Sequence, residues 1–203
     1  MGKRELELAA ARANVALDLV CKPFMLDPSL PPAGVDKLQH YMRKFGPQAE
    51  RMLKDPNNFL AQRGKPIGCA FQYHEGSKVF NSMQAHHLLT WAVLKHGVPA
   101  QMKLKEVFLR RYLAEGANLG LQPELLASVA EVGLPQEEAK AVLDETHKDF
   151  DEIQETFESQ LADSHRKGNG VPAFYFPDGT TFSGGQEART FDQAIARALA
   201  KSA

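Results

Sequence analysis

The hydrophobic positions at the start of the chain follow first the period of a helix and then the period of a strand. Residues 3–13 are rich in Ala, Leu and Glu and contain no β-branched residue, which predicts a helix. Asn14 follows directly, and Asn is a residue that tolerates the left-handed conformation at a helix end. Residues 15–24 alternate between an apolar face and a mixed face, which predicts a strand closed by Pro23.

A long central block then shows the helical period almost throughout. Glycine, proline and capping residues at its joints divide it into separate helices. The predicted helices cover residues 35–44, 48–62, 81–96, 99–115, 123–132, 135–144 and 147–167. Pro56 is a candidate break within the second of these, Asn81 a candidate cap for the third, and Gly97 its expected end. Residues 64–76 look irregular, with a short extended piece over 67–73.

The C-terminal region returns to the pattern of strands. Residues 171–176 are rich in β-forming residues, and Pro-Asp-Gly at 177–179 has the chemistry of a tight turn. Residues 180–183 therefore predict the returning strand of a hairpin, and an Ala-rich amphipathic helix follows over 190–200. With one more strand in front, the element order would be βαβ, a helical insertion, and ββα.

Composition and charge exclude several classes of protein. The 203 residues are 43% apolar and 24% charged, which suits one soluble domain with an insertion. The formal net charge is −1, so no broad field attracts nucleic acid. No apolar run reaches the roughly 18–20 residues that cross a bilayer, and the charged helix after Met1 is unlike a secretory leader. We therefore expect a cytoplasmic protein without a membrane or nucleic-acid partner.

Side chains that could carry chemistry are few. Cys21 and Cys69 form no Cys-x-x-Cys, and the first is expected to be a small buried residue of its strand. His86 and His87 face opposite sides of one helix and cannot share a metal ion. No phosphate loop or nucleophile elbow is present. From the residues alone we predict no catalytic group, no metal and no cofactor.

Six segments resemble, in order, the FrnE branch of the DsbA superfamily of thioredoxin-fold proteins. They lie at residues 2–6, 22–28, 44–46, 81–86, 170–174 (Gly-Val-Pro-Ala-Phe) and 183–186 (Ser-Gly-Gly-Gln). The resemblance implies an α/β, thioredoxin-like fold with a large helical insertion. Residues 1–34 and 168–203 would form the core, and residues 35–167 the insertion, whose last helix returns to the core. Asn169 departs from the family, which has an apolar residue there.

The resemblance also locates a binding site but no nucleophile. In that family a central strand ending in Cys-Pro-Trp-Cys precedes the Gly-Lys-Arg segment, and here Met1 stands where the motif would end. The family holds the bond equivalent to Val171–Pro172 in cis, facing its cysteines. Val171, Pro172 and Phe24 are thus implied as substrate-binding residues, with an extended peptide or a thiol/disulfide as the substrate.

Three functions remain open at this point. The leading one is a thiol–disulfide oxidoreductase scaffold without its catalytic cysteine pair. The second is a glutathione-dependent isomerase or kappa-class transferase, although Gly-Gly-Gln at 184–186 offers no carboxylate for the ammonium of glutathione. The third is a non-catalytic peptide-binding module.

The absence of the first strand leaves three alternatives. Either an upstream segment of the natural protein supplies it, or the flanking strands 15–24 and 171–176 pair directly, or another chain fills the gap. The last option includes a homodimer through exposed sheet edges.

Overall fold

The computed structural model describes residues 1–168 and 170–202, so the departure at Asn169 lies outside the described residues. The helices are α1 (Gly2–Ala13), α2 (Lys37–Phe45), α3 (Gln48–Lys54), α4 (Phe59–Gly64), α5 (Met83–Leu113), α6 (Gln122–Glu131), α7 (Gln136–Leu143), α8 (Phe150–Lys167) and α9 (Ala188–Ser202). The strands are β1 (Val35–Asp36), β2 (Lys78–Val79), β3 (Ala173–Tyr175) and β4 (Thr181–Ser183). A short 3₁₀ turn spans Lys65–Ile67.

Helix ends follow the capping and breaking residues of the sequence. Asn14 ends α1 in the left-handed conformation (φ 54°, ψ 44°), as predicted. The predicted helix over 48–62 is broken near Pro56, and the Asn58 side chain restarts it as α4 by accepting the Leu60 N–H at 2.9 Å. The two helices predicted on either side of Gly97 run on as α5, with a kink at Gly97 (φ 82°, ψ 173°).

Two local predictions are corrected by tertiary contacts. Val35 and Asp36 begin no helix but pair, as β1, antiparallel with β2. The Asp36 carboxylate accepts the Gln39 N–H at 2.9 Å and so caps α2, which begins at Lys37. The brief extended piece expected over 67–73 forms no strand, and the chain there begins with the 3₁₀ turn.

The larger correction concerns residues 15–24, which form neither a strand nor a ladder with residues 171–176. The prediction that the two segments pair directly is therefore wrong. The alternation of the sequence reflects burial on one side, because Val15 and Leu19 pack against the same apolar cluster as Phe174. A strand also needs a neighbour for its hydrogen bonds, and within the described residues β3 pairs only with β4.

Two apolar clusters hold the molecule together. The larger one is built by α5, α6, α7 and α8, with Leu88, Trp91 and Ile153 fully buried. The smaller one joins α1 and α9 through Leu6 and Phe191, and the hairpin packs on it. Every residue of the smaller cluster falls within the ranges 1–34 and 168–203, but the division into core and insertion stays a prediction.

Candidate functional site

Two of the three predicted site residues directly precede the β3–β4 hairpin. The two strands of the hairpin are antiparallel, with Phe174 opposite Phe182. The Val171–Pro172 peptide bond just before it is cis. The Gly184 N–H donates to the Pro172 carbonyl oxygen at 2.7 Å, which extends the hairpin pairing to Pro172. Val171 is 42% exposed, so this end of the hairpin is accessible to a ligand.

The N-terminus of α1 lies directly against this end of the hairpin. A Cβ atom on Gly2 would come within 2.8 Å of Phe174 Cζ and 3.3 Å of Pro172 Cγ, so only glycine fits without movement. Unpaired N–H groups and the helix dipole make such an N-terminus favourable for an anion. An anionic group joined to the first residue of α1 would therefore be both stabilised and close to Pro172.

Charged side chains tie the first turn of α1 to α5. Lys3 is paired with Glu7 on its own helix and with Glu106 on α5. Burial lowers the pKa of Lys3, but the hydrogen bonds to Glu106 and Glu7 outweigh it and raise the pKa overall. The ammonium thus stays charged and fixes the orientation of α1 beside the hairpin.

Phe24, the third predicted residue, has different neighbours. Its ring stacks on His165 of α8 with the centroids 4.4 Å apart. Its carbonyl oxygen lies 3.1 Å from Nε2 of His86 on α5. Burial, and then the Lys105 charge, lower the pKa of His86 to about 4, so the neutral ring donates Nε2–H to Phe24 near pH 7.

The end of α8 links these two groups of residues. Lys167 lies with its ammonium 5.2 Å from the ring centroid of Tyr175 on β3. The neighbouring Asp163 accepts from Lys167 at 2.6 Å and faces Lys22 at 3.8 Å. Val171 and Pro172 are thus grouped with α1, while Phe24 is grouped with α5 and α8. No hydrogen bond, ion pair or ring contact in the described part of the chain joins Phe24 to Pro172.

Sequence reasoning missed Gln101, which is 1% exposed and hydrogen-bonds the backbone of Cys21. The Cys21 N–H donates to Gln101 Oε1 and the amide Nε2–H donates to the Cys21 oxygen, both at 2.9 Å. The available signal was its position, since Gln101 interrupts the apolar stripe that continues at Leu104 and Phe108. A polar residue at such a position marks a buried hydrogen-bonding role.

The cysteines and the grooves lie apart from these contacts. Cys21 and Cys69 are both free and half-buried, and Cys21 lies in no strand. A groove of about 880 Å³ lies between α3, α4 and residues 65–73, and Cys69 lines it. A second groove, of about 580 Å³, is lined by Lys95, His96 and His147. Neither groove is lined by Val171, Pro172 or Phe24.

Within residues 1–168 and 170–202, no three His, Cys, Asp or Glu side chains are grouped so that they could bind a metal ion. None of the helices in these ranges has the length and apolar character needed to span a bilayer.

Comparisons with known proteins show the family and the fold of the chain. The family model of the DSBA-like thioredoxin domain matches residues 1–196. The chain belongs to this family. The DSBA-like domain is also similar to the crystal structure of a probable DsbA oxidoreductase from Streptomyces coelicolor, with a TM-score of 0.83 at 24% identity. The match covers 98% of this chain and 84% of that one. No curated protein matches the chain.

The fold of this DSBA-like domain is therefore thioredoxin-like with a large helical insertion, as predicted. The hairpin, α1 and α9 share the smaller apolar cluster, and α2 to α8 lie between α1 and the hairpin in the chain. The two cysteines of the sequence are separated, so these 203 residues contain no Cys-x-x-Cys.

Proposed function

We propose that these residues form the polypeptide-binding scaffold of a DsbA-like thiol–disulfide oxidoreductase whose catalytic cysteine pair is not among them. The observation that carries this proposal is the contact of Gly2 with Pro172 and Phe174. It brings a helix N-terminus, which favours a thiolate, beside an accessible strand end, which favours an extended peptide. An oxidoreductase of this class needs both features at one place.

The chemistry assigned to this place is thiol–disulfide exchange. A thiolate held at the N-terminus of α1 attacks one sulfur of a substrate disulfide, and the other sulfur leaves as a thiolate. A second thiol then attacks the mixed disulfide, which releases the reduced substrate and leaves the two protein sulfurs bonded to each other. The part of the present residues is to bind and orient the peptide, with the exposed Val171 as its nearest contact on the hairpin.

A peptide-binding module without catalysis is the second candidate, because Cys21 and Cys69 are separated and free. The two readings share the binding site and differ in whether electrons are transferred. The glutathione-dependent alternative has less support. Gln186 donates to the Ser183 oxygen at 2.6 Å, and an amide at this position supplies no negative charge for an ammonium group.

The test combines a binding assay with an activity assay on the purified chain. We expect it to bind a reduced, carboxamidomethylated polypeptide and to reduce insulin no faster than dithiothreitol alone does. Val171→Asp should weaken the binding about five-fold, because a charge would replace an apolar contact. Leu199→Asp on α9 is the matched control, since Leu199 is similarly exposed, at 47%. Retention on immobilised glutathione, or unchanged binding by Val171→Asp, would contradict the proposal.

A further inference from the structure

The helices α2, α3 and α4 expose an unusual share of the apolar surface. Sixteen large hydrophobic side chains are exposed in the described residues, and five of them fall within the 19 positions from 42 to 60. We call these five the α2–α4 surface: Met42, Phe45, Met52, Phe59 and Leu60. Phe59 is 68% exposed and Met52 54%. These residues lie on three consecutive helices, and α2 packs directly on α3. Exposed apolar patches are typical of interaction sites, whereas single exposed apolar residues are not.

These side chains are not needed to build either apolar core. The buried residues of both clusters come from other elements, and none comes from α2, α3 or α4. The three helices are anchored instead by small or polar contacts, such as the fully buried Ala49. The ammonium of Lys37 adds a contact 4.5 Å above the ring centroid of Tyr112. The apolar side chains of this segment are therefore free to contact another molecule.

The same segment is strongly basic, although the whole chain has a net charge of −1. Residues 42–65 contain six basic and two acidic residues. Their one ion pair in the described residues joins Lys54 to Glu50 at 2.7 Å. The other cations interleave with the apolar residues, since Lys44 lies over the Phe45 ring and Arg63 over the Phe59 ring, at 5.6 and 5.5 Å. A partner that is complementary to this segment carries both apolar side chains and negative charge.

The α2–α4 surface is also connected to the predicted binding site. Arg63 at the end of α4 lies with Nη1 3.4 Å from the Gly185 oxygen. The preceding residue, Gly184, donates its N–H to the Pro172 oxygen. A polypeptide that contacts Val171 and Pro172 can therefore continue toward α4 past residues 184–185.

We infer that the α2–α4 surface binds the continuation of the substrate polypeptide and selects segments in which apolar side chains lie beside carboxylates. This inference rests on the proposed function for the identity of the bound molecule as a substrate. The partner it names is an unfolded, acidic polypeptide, because apolar contacts supply affinity while the unpaired lysines and arginines favour negative charge.

Fluorescence anisotropy with two labelled peptides tests the inference. Both peptides carry the same apolar residues and no cysteine, and one has glutamates where the other has lysines. We expect the purified chain to bind the acidic peptide at least ten-fold more tightly. The double variant Met52→Ser/Phe59→Ser should lose at least ten-fold in affinity for it. The charge variant Lys44→Glu/Arg51→Glu should lose the preference between the two peptides.

Matched variants control for general surface effects. Leu94→Ser/Leu109→Ser removes two apolar side chains from α5, each 38% exposed, and should bind normally. Arg197→Glu reverses an exposed charge on α9 and should also bind normally. Circular dichroism checks that each variant is folded, which is expected because the substituted side chains are exposed.

Three results would overturn the inference. The first is equal peptide affinity for the Met52→Ser/Phe59→Ser variant and the original chain. The second is binding to vesicles of phosphatidylglycerol that depends on Phe59, with no peptide binding, because the surface would then fit a membrane. The third is a concentration-dependent dimer in sedimentation that the serine variant abolishes while peptide binding is unchanged.

The same assay separates this inference from the proposed function. If Val171→Asp weakens peptide binding and the serine variant does not, the hairpin site stands and the α2–α4 surface falls. If only the serine variant weakens binding, the surface stands and the hairpin site falls.

Discussion

Gln101 hydrogen-bonds both backbone groups of Cys21, as a neighbouring strand would. Its side-chain oxygen accepts the Cys21 N–H and its amide nitrogen donates to the Cys21 oxygen, each at 2.9 Å. The same nitrogen lies 3.2 Å from the Leu89 oxygen within α5. One buried side chain of a helix thus takes the place of a ladder partner at Cys21. Together with the hydrogen bond from His86 to the Phe24 oxygen, it ties this segment to α5.

Gln101→Met should loosen the backbone around Cys21 from α5. The substitution keeps the volume and removes both hydrogen bonds, which leaves partly buried backbone groups unpaired at a cost of about 2–3 kcal/mol. Urea unfolding measures the loss of stability, and hydrogen exchange should show faster exchange of the Cys21 amide. Gln84→Met on the same helix is the control, because Gln84 is partly exposed and its side chain makes no hydrogen bond in the described residues. Unchanged exchange at Cys21 in the Gln101→Met variant would contradict the assigned role.

Gly2→Ala should separate α1 from the hairpin. The added methyl group would lie 2.8 Å from Phe174 Cζ, and the Phe174 ring is held by Phe182 and Phe191 at centroid distances of 5.4 and 4.9 Å. Since the ring cannot move freely, we expect a loss of about 1–3 kcal/mol in the free energy of unfolding.

The control for Gly2→Ala is Gly185→Ala, where a Cβ atom would have open space. Adding Phe174→Leu should recover part of the loss, since the smaller side chain relieves the clash. A Gly2→Ala variant as stable as the original chain would mean that α1 and the hairpin are not in close contact.

Stability should fall as the pH is lowered from 6.5 to about 4. The folded-state pKa of His86 is lowered to about 4, chiefly by burial, so the unfolded state takes up the proton first as the pH falls. The loss is absent above pH 6.5 and complete below about pH 4, and it amounts to at most about 3 kcal/mol. Burial also lowers the pKa of His87, whose ring meets Phe157 edge-on, so His87 adds in the same direction.

Urea unfolding at pH 7 and pH 5 measures this effect. His86→Asn should reduce the difference in stability between the two pH values, and His86→Asn/His87→Asn should reduce it further. Gln84→Asn on α5 removes no titratable group, serves as a control and should leave the difference unchanged. An equal pH dependence in the original chain and in the double variant would show that neither histidine is responsible.

Elements defined by neighbouring residues could be predicted from the sequence. Asn14 ends α1, the chain breaks near Pro56, and residues 177–179 turn the hairpin, because each depends on local backbone preferences. Residues 15–24 could not be predicted in this way. Their alternation indicates which side chains are buried, but forming a strand depends on a partner elsewhere in the chain.

The candidate site shows the same division. Val171 and Pro172 could be singled out from their resemblance to a known family, and Pro172 lies beside Gly2 of α1. Their role in binding a substrate stays a prediction. The contacts of Phe24 with α5 and α8 join positions far apart in the sequence, as the Phe24–His86 hydrogen bond shows. The role of Gln101 likewise follows from packing, and its only trace in the sequence is a polar residue on an apolar stripe.

The central claim is that α1 and the hairpin form the redox site of a DsbA-like scaffold. Its most direct test is to join a strand ending in Cys-Pro-Trp-Cys to Gly2 and to measure insulin reduction with dithiothreitol as the electron donor. A matched chain ending in Ser-Pro-Trp-Ser is the control. We predict clear activity with the cysteines and none with the serines, with the activity lowered by Gly2→Ala. A folded cysteine-containing chain no more active than its serine control would contradict the account.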